Sequence, residues 1–153
     1  MATDPEHIAN WQRLDGNVTT SGRLAPDDID ALAQIGVCHV INLALADSPG
    51  SLPDEAALLA ARGIGYTHIP VPFDAPTGAH YAAFCAEFAA AARPVHVHCI
   101  MNWRVSAFFY RHHRAAGMDK AAARALMEQQ WSPETSANPA APDWAWFIAQ
   151  GEQ

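Results

Sequence analysis

Pro94-Val-His-Val-His-Cys-Ile-Met-Asn-Trp-Arg-Val-Ser-Ala-Phe-Phe109 decides the reading of this chain: a β-branched run, one cysteine, a tight polar turn, an arginine, then an apolar helix. The pattern predicts a strand, an anion-cradling loop and a helix N-terminus. At such a position the unpaired N–H groups and the positive end of the helix dipole favour a thiolate over a thiol, and Arg104 adds a full charge nearby. The same groups hold a phosphate or another oxyanion. Cys99 is therefore a candidate nucleophile and Arg104 a candidate oxyanion clamp. The alternative is that Cys99 is a small buried hydrophobe ending a core strand.

Outward from this stretch, strands and helices alternate between about Val18 and Ser106. Asn17 to Thr20 reads as a short edge strand. Pro26 to Gly36 reads as a helix, with proline and acids at its start, Ile29, Leu32 and Ile35 at helical spacing and glycine at its end. Val37 to Leu43 is a strand, Pro53 to Arg62 a helix stopped by Gly63, Tyr66 to Val71 a strand and Thr77 to Ala92 a helix. Pro94 to His98 and Arg104 to Ala116 follow. Strands separated by helices imply right-handed crossovers. The expected fold is therefore α/β, a mainly parallel central sheet flanked by helices on both faces. Ligands in such sheets bind beyond the carboxyl ends of the strands, where both Cys99 and Asp74 fall.

The expected organisation is one domain over residues 1–153, with an N-terminal segment at 1–16 and a C-terminal loop and short docking helix at 132–153. After Gly117 come a helix at Asp119 to Gln130, a loop rich in Pro, Ser and Ala, and Asp143-Trp-Ala-Trp-Phe-Ile148, whose Trp144 and Phe147 dock it on the body. Half of the residues are apolar, 16% are charged and the formal net charge is −7. Such a balance argues against a general binder of nucleic acid or of anionic membranes. Three widely spaced cysteines, Cys38, Cys85 and Cys99, do not form a disulfide framework, and Cys38 and Cys85 read as core. Met1 to Asn10 has no apolar run, so a cytoplasmic location is expected.

Several motifs in this order resemble the cysteine-dependent phosphatases of the dual-specificity class, especially a bacterial phosphatase-like group associated with β-lactamase-like hydrolases. They are Thr20-Ser-Gly-Arg-Leu24, Val40-Ile-Asn-Leu43, Gly65-Tyr-Thr-His-Ile-Pro-Val71 with Asp74 behind it, Val97-His-Cys99, and Gly117-Met-Asp119. The resemblance implies hydrolysis of a phosphomonoester through a cysteinyl-phosphate on Cys99. Backbone groups of Ile100, Met101, Asn102, Trp103 and Arg104 would hold the phosphate, and Asp74 would be the general acid. Ser106 would donate to the sulfur, and His98 would brace the loop or tune the thiol. It implies no metal or other cofactor, and as partner a phosphorylated small molecule or a phosphoprotein.

Each role has a plainer counterpart. Asp74 is also placed to be solvated or to cap the helix near Thr77, Ser106 to cap a first turn, and His98 to end a core strand with its hydrogen bonds satisfied. His96 and His98 share a strand face beside Cys99, but no fourth ligand stands at a recognisable metal spacing. His112 and His113 read as surface or interface residues, and Trp103 as a wall of the pocket or a shield for Cys99.

The chain also departs from the family pattern, which places arginine six residues after the cysteine, a serine or threonine next, and glycine usually three after the cysteine. Here Val105 stands where that arginine belongs, Arg104 comes one residue early and Asn102 takes the glycine position. A shift of one residue turns a helical side chain by roughly 100°. Either the loop winds differently so that Arg104 still reaches the anion, or the anion site is weakened, leaving a pseudophosphatase that binds an oxyanion with little turnover. Cysteine followed five residues later by arginine is also the spacing of many rhodanese-type sulfurtransferases, which gives a second reading through a Cys99 persulfide.

Overall fold

The computed structural model describes residues 3–152; the first two residues of the expected N-terminal segment and the last of the C-terminal one lie outside it. Five strands form one sheet: β1 (Gln12–Asp15), β2 (Val18–Ser21), β3 (His39–Asn42), β4 (Gly65–His68) and β5 (Val95–His98), in the order β1-β2-β5-β3-β4. The helices are α1 (Pro26–Gln34), α2 (Glu55–Ala60), α3 (Gly78–Ala90), α4 (Trp103–Ala115), α5 (Lys120–Glu128) and α6 (Ala141–Ala149).

The sheet is mixed, which corrects the expectation of a mainly parallel one. Strands β2, β5, β3 and β4 pair in parallel, but β1 folds back antiparallel on β2. The stretch expected at the edge, β2, is therefore an inner strand, and part of the expected N-terminal segment is the edge strand itself. β5 lies at the centre, with Ser21 on one side of His98 and Asn42 on the other.

Period-2 alternation decides which side chain meets which layer. Val95, Val97 and Ile41 point into the larger core, shared with Phe84 of α3, Phe108 of α4, Met127 of α5 and Trp144 and Phe147 of α6. Val40 points to the opposite face, where Ile29 and Leu32 of α1 and Leu59 of α2 cover it with Ile8 and Ile64. His96 and His98, out of phase with the valines, are thereby turned from the larger core. The docking expected of Trp144 and Phe147 is observed, since both are fully buried.

Local chemistry sets the helix limits. Pro26 opens α1, the Asp28 carboxylate accepts from the Ala25 amide at 2.8 Å, and Gly36 beyond its end takes φ +87°. Thr77 caps α3 by accepting from the His80 amide at 3.2 Å, and Asp119 caps α5 through the Ala121 and Ala122 amides. Two sequence expectations fail on burial. Cys38 is exposed just before β3 and Cys85 is half-buried, so neither is a core residue. His112 and His113 are half-buried rather than on the surface, because α4 is wide enough in apolar residues to pull His112 against Phe84 and Phe88.

Candidate active site

The ladder of β5 runs out at Cys99, whose amide donates to the Ser21 carbonyl at 3.4 Å. From there the chain turns through Ile100, Met101 and Asn102 into α4. Arg23 donates its amide to the Ile100 carbonyl at 2.8 Å, which seats the turn on the end of β2. Among the described residues the amides of Ile100, Met101 and Asn102 donate no hydrogen bond, and they precede a thirteen-residue helix. Such a run of N–H groups is the backbone component of an anion site.

Asn102 closes the turn in the left-handed region, at φ 66° and ψ 6°. A side chain at that conformation is disfavoured except for asparagine and aspartate. Asn102 is further fixed by its amide group, which donates to the Asn10 carbonyl at 2.9 Å and to Thr20 Oγ1 at 3.0 Å. Ser106 Oγ donates to the Asn102 carbonyl and lies 3.4 Å from that of Trp103. The Ser106 hydroxyl thus braces the turn, and both of its partners are backbone oxygens rather than the Cys99 sulfur.

Beyond the strand ends lies a cavity of about 310 Å³ whose wall includes Cys99, Ile100, Met101, Trp103, Arg104 and Phe73. Cys99 is 1% exposed overall and reaches this cavity from below. Arg104 also lines it, whereas Val105 is fully buried in the larger core. The loop therefore winds so that the displaced arginine, and not position 105, faces the cysteine's cavity. Arg104 Nη1 donates to the Val71 carbonyl at 3.0 Å, and its guanidinium carbon lies 5.6 Å from the centre of the Phe73 ring. One edge of the guanidinium is thus held by the turn after β4. A cation anchored on one edge presents its other donors in a fixed direction.

The sequence profile of the phosphatase-like domain of beta-lactamase hydrolase-like proteins matches residues 11–116, which span the sheet, the cysteine loop and α4. The chain belongs to this family. A putative phosphatase from Shewanella putrefaciens CN-32 is 28% identical to it over 97% of this chain and 95% of that one, with a TM-score of 0.80. A cysteine-to-serine form of P. aeruginosa TpbA, solved with phosphotyrosine, is 19% identical over 100% and 95% of the two chains, TM-score 0.70. The catalytic domain of the S. cerevisiae PP-IP phosphatase SIW14 is 11% identical over 92% and 84%, TM-score 0.73. The last two likenesses establish the fold alone. No curated protein matches the chain in sequence.

Within this phosphatase-like domain the other expected residues are distributed unevenly. His98 is buried at the end of β5, with Nδ1 3.1 Å from the Cys99 carbonyl and Nε2 2.6 Å from Glu55 Oε2. Asp74 does not line the cavity. It is exposed on the turn after β4, one residue beyond Phe73, and no carboxylate lines the cavity wall among the described residues. No group of three or more histidine, cysteine or carboxylate side chains is placed to hold a metal ion, and no helix is long and apolar enough to cross a membrane, again among the described residues.

Two parts of the site were not read from the sequence. The first is the rest of the aromatic wall around Trp103. Phe73 sits 6.0, 5.9 and 5.7 Å from the rings of Trp103, Trp131 and Trp144, and Trp103 stacks on Trp131 at 4.6 Å. The indole N–H of Trp144 donates to the Phe73 carbonyl at 2.6 Å and that of Trp131 to the Trp103 carbonyl at 3.1 Å. The C-terminal elements thus anchor both the cysteine loop and the turn that carries Asp74. The second is Glu55, which as an acid in the first turn of a helix looks like an ordinary partner of the helix dipole.

Proposed function

We propose that the chain is a phosphomonoesterase that works through a cysteinyl-phosphate. Cys99 Sγ attacks phosphorus, the bond from phosphorus to the leaving oxygen breaks, and water then displaces the thiolate to release inorganic phosphate. The observation that carries this reading is the shared cavity: Arg104 faces it together with Cys99 although the arginine stands one residue early, because Val105 has taken the core position. The amides from Ile100 to Arg104 and the guanidinium would hold the equatorial oxygens, where charge concentrates in the transition state. Ser106 and His98 act on the loop rather than on the phosphate.

Asp74 is the candidate acid, because it directly follows Phe73 of the cavity wall on the turn after β4. With no carboxylate in the wall itself, protonation of the leaving group is the weak part of the site. An aryl phosphate, whose leaving oxygen needs little protonation, suits such a site, and the apolar wall of Phe73, Trp103, Ile100 and Met101 suits an aromatic group. Support for a phosphorylated substrate also comes from the phosphotyrosine complex of the TpbA variant, a relative in fold.

Hydrolysis of a series of aryl phosphates tests this. Wild type is expected to turn over the members with the most acidic phenols, Cys99→Ser none, and Asp74→Asn progressively less than wild type as the leaving group becomes more basic. Transfer of sulfur from thiosulfate to cyanide without hydrolysis of any phosphomonoester would replace this reading by a persulfide on Cys99. Vanadate binding without turnover would make the domain an oxyanion binder.

A further inference from the structure

The two histidines of β5 lie with ring centres 6.2 Å apart and planes 20° from parallel, yet their partners are of opposite kinds. His96 lies between two hydroxyls, Thr19 Oγ1 at 2.8 Å from Nδ1 and Ser21 Oγ at 2.8 Å from Nε2. Ser21 gives its proton to the Gly22 carbonyl at 2.9 Å, so Nε2–H donates to Ser21 and the Thr19 hydroxyl donates to Nδ1. A neutral ring satisfies every partner. Burial holds His96 well below the usual histidine range, and the neighbouring His98 pushes the same way.

His98 has no such freedom. Its Nδ1 faces the Cys99 carbonyl, which can only accept, and its Nε2 faces the Glu55 carboxylate. Two protons are needed to fill these two contacts, and both sit on the ring when Glu55 is ionised, the form that the Asn42 amide aimed at its Oε1 favours. The side chains are 3% and 4% exposed, so water does not supply an alternative partner. Glu55 is itself tethered: Asn42 Nδ2 stands 3.5 Å from Oε1 and donates to the Tyr66 hydroxyl at 3.1 Å. Burying a carboxylate and an imidazolium is costly for each ion before their attraction is counted. An apolar pair would join α2 to the sheet without that cost, so the arrangement calls for a purpose beyond packing.

We infer that Glu55 is a positioning residue for Cys99: it holds His98 doubly protonated, so that Nδ1–H grips the Cys99 carbonyl and a positive charge stands one residue before the sulfur. The inference deepens the phosphatase reading, in which that sulfur attacks as a thiolate, and it differs from loop bracing alone in requiring the charge. The other titratable groups near the pair are few. Asp54, Tyr66 and His68 line a cavity of about 280 Å³ on the α2 side together with Glu55. Burial raises the Tyr66 phenol above its ordinary range, so it stays neutral, and His68 is bonded to the Ala44 carbonyl at 2.6 Å. The neutral His96 closes the other side.

The test is alkylation of the full chain by iodoacetamide over a pH series, resolved by mass spectrometry at each cysteine, for wild type and Glu55→Gln. Glutamine keeps the shape but cannot hold a second proton on His98. The pH of half-maximal labelling at Cys99 is expected to rise by about one unit, with about tenfold slower labelling at neutral pH, while exposed Cys38 is unchanged. A Cys99 profile that overlays wild type in a folded Glu55→Gln protein would overturn the inference. Should that variant not fold, ¹⁵N NMR of histidine-labelled wild type decides: two protonated ring nitrogens at His98 at neutral pH are expected, and a single one would overturn it. Neither readout needs turnover. An inactive protein with the shifted profile would sink the phosphatase reading alone, and an active one with an unshifted profile would sink this inference alone.

Discussion

Asn102 carries the closure of the cysteine loop on its backbone and its amide at once, and replacing it separates the two contributions. Asn102→Gly removes two hydrogen bonds, to the Asn10 carbonyl and Thr20 Oγ1, while leaving a residue at ease at φ 66°. At about 1 kcal/mol per bond the loss is about 2 kcal/mol. Thr20 keeps its donation to the Gln12 carbonyl at 3.1 Å, so the bond to Asn10 is the costlier of the two. Asn102→Ala loses the same bonds and also places a methyl group in the left-handed region, for about 1 kcal/mol more. The predicted order is Asn above Gly above Ala, the reverse of the ordinary preference for alanine over glycine beside a helix. Urea unfolding followed by circular dichroism measures it, with unchanged slopes showing that the denatured state is not the cause. If Ala is as stable as Gly, or if both lie within about 0.5 kcal/mol of wild type, a range ordinary for surface changes, the account of this turn is wrong.

Two further predictions concern the same region. Arg104→Gly combined with Val105→Arg moves the guanidinium to the position usual in related phosphatases, but Val105 is fully buried, so the charge enters the core. The double variant should lose at least about 3 kcal/mol of stability and all vanadate affinity, checked by denaturation and by competition with Cys99 labelling; tighter vanadate binding than wild type would show that the loop geometry is misread. Because burial depresses the His96 value in the fold, the unfolded chain binds the extra proton first, and stability should fall as pH drops below about 6.5 until the native value is reached. The slope from this residue is at most about 1.4 kcal/mol per pH unit, and His96→Gln should flatten the curve of unfolding free energy against pH; an unchanged slope would contradict the assignment.

The helices and inner strands were legible because their signals are local: Pro26 and Gly36 bracket α1, Thr77 opens α3, and the β-branched runs mark β3 and β5. β1 was not, since Gln-Arg-Leu-Asp offers one apolar residue to an edge strand. The Gly16-Asn17 pair that follows it is a hairpin signal that would have placed it. The cysteine loop was readable as a loop, but the direction of Arg104 was not, because it depends on how Asn102 winds the turn and on the core claiming Val105. Glu55 was invisible for a related reason. Its meaning comes from β5 turning His98 toward α2, a tertiary placement to which an acid in a first helical turn gives no clue. Cys38 misled because a cysteine next to a strand resembles a buried one, and only the packing of α1 over Val37 and Val40 shows that the next position faces outward.

The central claim is that phosphorus bonds to Cys99, and trapping that bond tests it most directly. Wild type mixed with an aryl phosphate, quenched in acid within the first turnovers and digested, is expected to show a phosphate adduct confined to the peptide bearing Cys99. The adduct should be absent in Cys99→Ser and should turn over at a rate consistent with product formation. Aryl phosphate hydrolysis that persists in Cys99→Ser, or that proceeds in wild type with no adduct on Cys99 at any quench time, would contradict the account.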